Sequence, residues 1–305
     1  MYKKTVFKHK SLPYLLLLPQ LLVVVLFFFL PAGQSIWSSF FKTDTFGSHS
    51  IFVGFENYKA LLSDPSYYRS LFITLGFSVS VTAIAMSAAL ILALMADRVL
   101  RARIFYRTFL IIPYAIAPAV VGTLMNFIFS PAVGLMSFFL RDTLGFNWNP
   151  SLNATHALIL VVLSASWVQT SYNFLFYLGG LQAIPTSVIE AAAIDGAGPW
   201  RRIKDLIIPL LAPTSFFLLS MNLIYAFFET FPIIDVTTQG GPGGATNILV
   251  YRVYKTAFQE NNYGSSGAQS VILMLIIIFL TFLQFKYIEK KVHYLSLIHI
   301  SEPTR

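Results

Sequence analysis

The sequence predicts an all-α membrane protein with six transmembrane helices, N-in and C-in, and three observations carry that expectation. Hydrophobic residues fill 56% of the 305 positions and charged residues 11%, whereas soluble domains carry about a quarter charged residues. Mean hydropathy is +0.69. The apolar residues gather into runs near the ~20 residues a helix needs to cross the hydrocarbon core. Unpaired backbone groups are too costly in lipid for anything but helices or closed barrels, and alternating barrel strands of about ten residues are absent.

In chain order the spans are Leu12–Ala32, Leu71–Ala96, Phe109–Phe129, Ala157–Leu178, Leu206–Thr230 and Ala268–Phe285. The first follows Lys3, Lys4, Lys8 and Lys10. It outlasts a signal-peptide core and no A-x-A-like site follows Pro31, so a retained anchor is expected. Pro113 and Pro118 in the third span, and Pro209 and Pro213 in the fifth, are expected to bend those helices. On this topology the inner segments hold 14 Lys and Arg, among them Arg98, Arg101, Arg103 and Arg107, and the outer segments hold 6. That bias places both termini in the cytoplasm. The net charge of +8 therefore encodes topology, and nucleic acid is not an expected partner.

The partition expected along the chain is 1–70 as anchor helix and outer loop, 71–294 as the core domain with its inner loop 184–209, and 295–305 as a non-native tail. That tail, LSLIHISEPTR, resembles a translated sequencing adapter and takes no part in functional reasoning. The outer loop Gly33–Ser70 is rich in turn formers, including Asp44, Gly47, Gly54 and Pro65. The outer loop Pro232–Gly267 holds Gly240, Gly241, Pro242, Gly243 and Gly244, which reads as a flexible or partner-contacting segment.

Several chemistries are excluded. With no cysteine, disulfides and thiol catalysis are impossible. His9, His49, His156, His293 and His299 all fall in loops, termini or span edges, so no Ser–His or metal cluster forms at membrane depth. No Gly is followed by Lys, so the phosphate-binding G-x-x-x-x-G-K-[ST] loop is missing. The repeats and buried carboxylates of a stand-alone secondary transporter are not visible either.

The most informative stretch is IPTSVIEAAAIDGAGPWRRIKDLIIP, Ile184–Pro209. Ser187 and Glu190 have capping-box spacing, Ala191, Ala192 and Ala193 favour helix, and Gly196 suits a left-handed stop. Gly198 and Pro199 are expected to start a second short helix carrying Arg201, Arg202 and Lys204. An alanine-faced projection results, open to close approach by another protein; an ordinary well-capped loop fits the same residues.

This stretch resembles the EAA loop of binding-protein-dependent ABC importer permeases: Glu-Ala-Ala, three residues, Gly, nine residues, Ile-x-Leu-Pro. Glu190, Ala191, Ala192, Gly196 and Pro209 match it, Leu206 and Ile208 are apolar replacements, and Asp195-Gly196-Ala197 is similar to the sugar-type form. The resemblance implies a type I importer permease fold in a bacterial inner membrane, with Glu190, Ala191, Ala192, Asp195, Gly196, Ala197 and Pro209 coupling it to an ATPase. It implies an ATPase dimer, a second permease subunit and a periplasmic substrate-binding protein as partners, beside lipid. No cofactor is expected on this chain; ATP would be used by the partner. Within that family, Ile112–Val120, Ser171–Tyr177, Asn222–Asp235 and Thr238–Pro242 resemble the branch serving sn-glycerol-3-phosphate, with another sugar or polyol as the alternative.

Polar residues at membrane depth are functional candidates. Tyr172, Asn173, Asn222 and Tyr225 are expected to offer neutral groups to a polyol phosphate, or else to glue helices together. Glu229 would repel a phosphate, so a salt bridge or cap suits it better.

Overall fold

The computed structural model describes residues 12–43, 50–97 and 103–287. Lys3, Lys4, Lys8, Lys10, Asp44, Gly47, Arg98, Arg101, the basic residues beyond 287 and the tail 295–305 lie outside the described residues. Two compact units are distinguished, one drawn from Met1–Pro65 and Val253–Met274, the other from Ser66–Arg252 and Leu275–Arg305.

In the first unit, α1 (Leu12–Ser38) is apolar over most of its surface, Gln20 and Gln34 excepted, and buries none of its residues. A helix apolar on nearly every side is matched to lipid rather than to water. Behind it the loop expected at 33–70 is structured. A short antiparallel hairpin pairs β1 (Phe41–Thr43) with β2 (Ser50–Phe52), Phe41 facing Phe52, and α2 (Glu56–Leu62) follows. Asn57 fastens this corner by donating to the carbonyls of Ser39 and Phe41 at 2.8 and 2.9 Å.

The second unit is built on α3 (Pro65–Asp97), whose buried face repeats at helical spacing. Val81, Ala85, Ala89 and Ala93 stand four residues apart and expose no surface. Methyl-sized side chains on one stripe let neighbouring backbones approach closely. Phe174, Tyr177, Leu178 and Leu181 of α7 (Ala154–Ala183) share a core with the lower alanines. Asn153 caps α7, its side chain accepting from the backbone N–H groups of Thr155 and His156.

The third and fifth apolar runs are broken helices. α4 (Arg103–Ala115) and α5 (Pro118–Ile128) meet at a 100° bend. α9 (Pro199–Leu210) and α10 (Ala212–Glu229) meet at 64°. Among the described residues, four unbroken helices are long and apolar enough to cross a membrane, or six spans if each bent pair counts as one. Both bends fall beside the prolines expected to cause them. α6 (Leu135–Leu144) and α8 (Thr186–Ile194) lie between these elements, with α11 (Phe231–Thr237) and α12 (Leu249–Tyr254) after them, and α13 (Tyr263–Tyr287) closes the described chain.

Of the two readings of the glycine-rich segment after α11, flexible or partner-contacting, the first is corrected, because hydrogen bonds hold its backbone. Gln239, Gly240, Gly243 and Gly244 take left-handed backbone conformations. Thr246 ties the turn, its hydroxyl 2.6 Å from that of Thr238 and donating to the Gly241 carbonyl at 3.0 Å. Ile248 and Leu249 are buried behind it, and the Leu249 N–H donates to the Thr74 hydroxyl of α3 at 2.9 Å.

α5 packs against α11 at Gly122, where a Cβ would overlap the Val236 side chain and stand 3.2 Å from the Ile233 Cα. Gly122→Leu is expected to cost about 1–3 kcal/mol by overpacking. Gly179→Ala, on an open face of α7, is expected to hold or gain stability through helix propensity. Thermal unfolding of both variants in detergent checks this; equal Tm values would contradict the close approach.

Candidate functional site

The loop 184–209 is a convex projection with a buried root. Ile184 and Ile207 are buried in the core cluster with Ala89, Ala93, Ala96 and Leu181, and Ile189 and Ile203 pack against the same cluster. α8 starts at Thr186, one residue before the expected cap, and its N-cap is Pro185 with no side-chain hydrogen bond. The Ser187–Glu190 capping box therefore does not form: Ser187 sits inside the first turn and the exposed Glu190 points off the helix. Pro185 at the N-cap has no side-chain acceptor, so the first-turn N–H groups receive no side-chain cap.

The stop follows the sequence closely. Gly196 has φ +81°, the Ala197 N–H donates to the Ala192 carbonyl at 3.0 Å, and the Gly196 N–H donates to that of Ala193 at 3.1 Å. This is a Schellman end, which satisfies two otherwise orphaned carbonyls. Gly198 is extended and Pro199 occupies the first position of α9, as expected. α9 is not a separate short helix, however. It runs on through a π-helical turn, Ile203–Ile207, into Ile208–Leu210, and Pro209 lies on this extension beside the bend.

The surface of the projection is mixed. Ala191, Asp195 and Gly196 are exposed, and Ala192 and Ala197 are half-buried. Ile194 is 86% exposed and Trp200 74%. Sequence reasoning rested on the alanines and passed over these two, although a large apolar residue directly beside a charged one, Asp195 or Arg201, in a loop was the signal for them. Arg201 and Asp205 pair at 3.5 Å in the i,i+4 relation, too exposed to contribute much. Arg202, expected with Arg201 and Lys204 to face the cytoplasm or the lipid headgroups, is half-buried.

The four intramembrane candidates do not act as one group. Asn173 and Asn222 are fully buried and bond to each other, at 3.2 Å one way and 2.9 Å the other. Asn222 also donates to the Leu218 carbonyl at 2.7 Å. Their amides link α7 to α10 and face each other, so they offer nothing to a passing molecule. Tyr172 and Tyr225 instead share a cavity of about 200 Å³. The α4–α5 break contributes Tyr114, Ile116 and Pro118 to its wall, and α7 contributes Val168, Gln169 and Tyr172. The end of α10 supplies Met221, Ile224, Tyr225 and Glu229. Tyr225 and Glu229 begin and end a π-helical turn, a widened geometry frequent at functional sites.

Glu229 corrects a further expectation. It forms neither a salt bridge nor a helix cap among the described residues, and its exposed side chain lines this cavity. His156 is an aromatic anchor, its ring 4.9 Å from that of Trp148 and its Nδ1 accepting from the Asn149 N–H at 3.0 Å.

Residues 85–294 match the family described as binding-protein-dependent transport system inner membrane component. Among curated relatives, the sn-glycerol-3-phosphate transport system permease protein UgpA of Rhizobium meliloti is 55% identical over 96% of this chain and 99% of its own length. Its counterpart from Escherichia coli O157:H7 is 48% identical over 95% and 98%. A chain of a bacterial alginate ABC transporter, solved with an alginate-bound periplasmic protein, superposes with a TM-score of 0.80 at 19% identity, covering 93% of this chain and 96% of that one.

Breaking the asparagine pair from one side leaves a buried amide without its partner. Asn173→Leu is expected to lower stability by about 1–3 kcal/mol, and Asn173→Leu with Asn222→Leu by less. A double-mutant cycle on unfolding free energies measures this; additive losses would show that the two amides are not coupled.

Proposed function

Because this chain belongs to the family of binding-protein-dependent transport system inner membrane components, we propose that it serves an ATP-driven importer of sn-glycerol-3-phosphate and lines part of the path through the membrane. The observation that carries the substrate is near-full-length identity of 48–55% to proteins bearing that name. The chain is a membrane component and not a catalyst. Its partners in this reading are a second permease, an ATPase dimer that consumes the ATP, and a periplasmic protein that delivers the substrate.

The loop 184–209 is the coupling element of the proposal. Ile194 and Trp200 offer apolar area that would be removed from water on docking, at about 25 cal/mol per Å². Ala191, Ala192, Gly196 and Ala197 keep the surface between them low, while Glu190 and Asp195 supply charges for a polar rim. A push on α8 passes to the core through Ile184 and Ile207. It also passes along α9, across the bend beside Pro209, into α10. The cavity residues Tyr225 and Glu229 stand at the far end of α10, about 20 Å beyond the bend at 1.5 Å per residue. One mechanical element thus joins the docking surface to the proposed path.

In proteoliposomes containing the whole complex, labelled sn-glycerol-3-phosphate is expected to accumulate with ATP inside, and maltose is not. Maltose uptake alone would reject the substrate while leaving the importer class intact. Gly196→Asp adds a carboxylate at the negative end of α8, where it is disfavoured, and strains a left-handed position. Uptake is expected to fall at least about 10-fold, the effect of 1.4 kcal/mol, with membrane insertion unchanged. Normal uptake by this variant would contradict the coupling role.

A further inference from the structure

The corner where α6 meets α7 holds a second cavity of about 370 Å³, within the ~300–1,000 Å³ usual for small-molecule sites. It lies at the opposite end of α7 from the loop 184–209, about 45 Å away along a helix rising 1.5 Å per residue. Two donors of its wall are spent. The Ser137 hydroxyl and the Trp148 indole N–H both donate to the Phe129 carbonyl, at 2.7 and 3.0 Å. The side-chain acceptors are spent as well. Asn149 Oδ1 accepts from the Ser151 and Leu152 N–H groups at 3.1 and 3.2 Å. Asn153 Oδ1 accepts from those of Thr155 and His156, and His156 Nδ1 accepts from that of Asn149. These backbone donors assign both amide orientations and the imidazole tautomer.

What remains on these four side chains is all donors. The amide nitrogens of Asn149 and Asn153, the Nε2–H of His156 and the Nη groups of Arg141 take part in no hydrogen bond among the described residues. Arg141 gives only its Nε to Asp142, at 3.0 Å, and the Phe138 ring holds its guanidinium at 4.7 Å. No Asp or Glu is among the described lining residues. Four donor groups outnumber the two oxygens of a carboxylate and suit the three of a phosphate better. A guanidinium edge takes a phosphate through two parallel hydrogen bonds, and the start of α7 adds the positive end of its dipole. A neutral polyol would need acceptors, and those of Asn149, Asn153 and His156 are already used.

We infer that Arg141, Asn149, Asn153 and His156 bind a phosphate group, carried by a small solute or by a lipid headgroup. The site is separate from the intramembrane cavity and stands without the functional reading above, because the surplus of donors alone calls for the anion.

The test follows Tm of the full chain in a maltoside detergent, which contains no phosphate, since a ligand that binds only the folded state raises Tm. One series adds inorganic phosphate, with chloride matching the ionic strength. The other compares dilauroyl phosphatidylglycerol with dilauroylglycerol, which has the same chains and no phosphate. A solute source is shown if inorganic phosphate raises Tm, and a lipid source if phosphatidylglycerol alone does. In either case Arg141→Gln and Asn153→Asp are each expected to raise Kd about 10-fold or more, as for loss of a charged hydrogen bond. Asn153→Asp keeps an oxygen to cap α7 and turns a donor into a like charge. Arg141 belongs to an exposed pair that contributes little, so unliganded Tm values confirm that both variants fold, and each variant alone decides the test. No shift with either phosphate source, an equal shift with dilauroylglycerol, or a shift retained in either variant would overturn the assignment.

Discussion

Everything in the larger unit that bears on function hangs from one contact, the seating of isoleucines from the 184–209 loop against the alanine stripe of α3 and the aromatic end of α7. Ile184 and Ile207 are buried there with Ala89, Ala93 and Ala96. Close packing makes such a joint stiff, because interiors at crystal-like density transmit displacement and do not absorb it. A surface loop without this root would bend under load. With it, the projection is packed directly onto the membrane helices, as the proposed coupling role requires.

A second constraint is where the helices are allowed to deform. Three of the π-helical turns lie just before a proline: Val25–Phe29 before Pro31, Ile203–Ile207 before Pro209, and Tyr225–Glu229 before Pro232. Proline has no N–H to give and its ring crowds the carbonyl four residues back, which falls at Phe27, Asp205 and Phe228. At Pro31 the widened turn accommodates the proline within one continuous helix. Pro232 falls in the first turn of the next helix, where a proline costs little, and Tyr225 and Glu229 at the two ends of the preceding wide turn line one wall of the cavity.

The long features of this architecture were legible because they depend on composition over twenty residues. Each of the six apolar runs lies on a helix or a bent helix pair, and Pro113, Pro118, Pro209 and Pro213 stand beside the two bends. What escaped depends on few residues or on partners far along the chain. The hairpin at Phe41–Thr43 and Ser50–Phe52 is three residues a side, too short for any periodicity to register. α9 was cut short because Gly198 and Pro199 announce a beginning clearly, while nothing before Pro209 announces that the helix persists. The failed capping box shows the same limit, since Pro185 stands at the N-cap that Ser187 was expected to fill.

The polar residues expose a deeper ambiguity. A buried asparagine and a buried tyrosine both put a polar group at membrane depth, and only the structure says which has a partner. Asn173 found Asn222, 49 positions later, and their mutual bonds use the amides up. Tyr225, three residues past Asn222 on the same helix, found none. Polar groups in a low-dielectric interior are either satisfied or costly, so the satisfied pair is explained by helix association and the unsatisfied hydroxyl is not. The asparagines hold α7 and α10 together one turn away from the cavity those helices line. Their pairing therefore holds α7 and α10 at the spacing at which Gln169 and Tyr225 line that cavity.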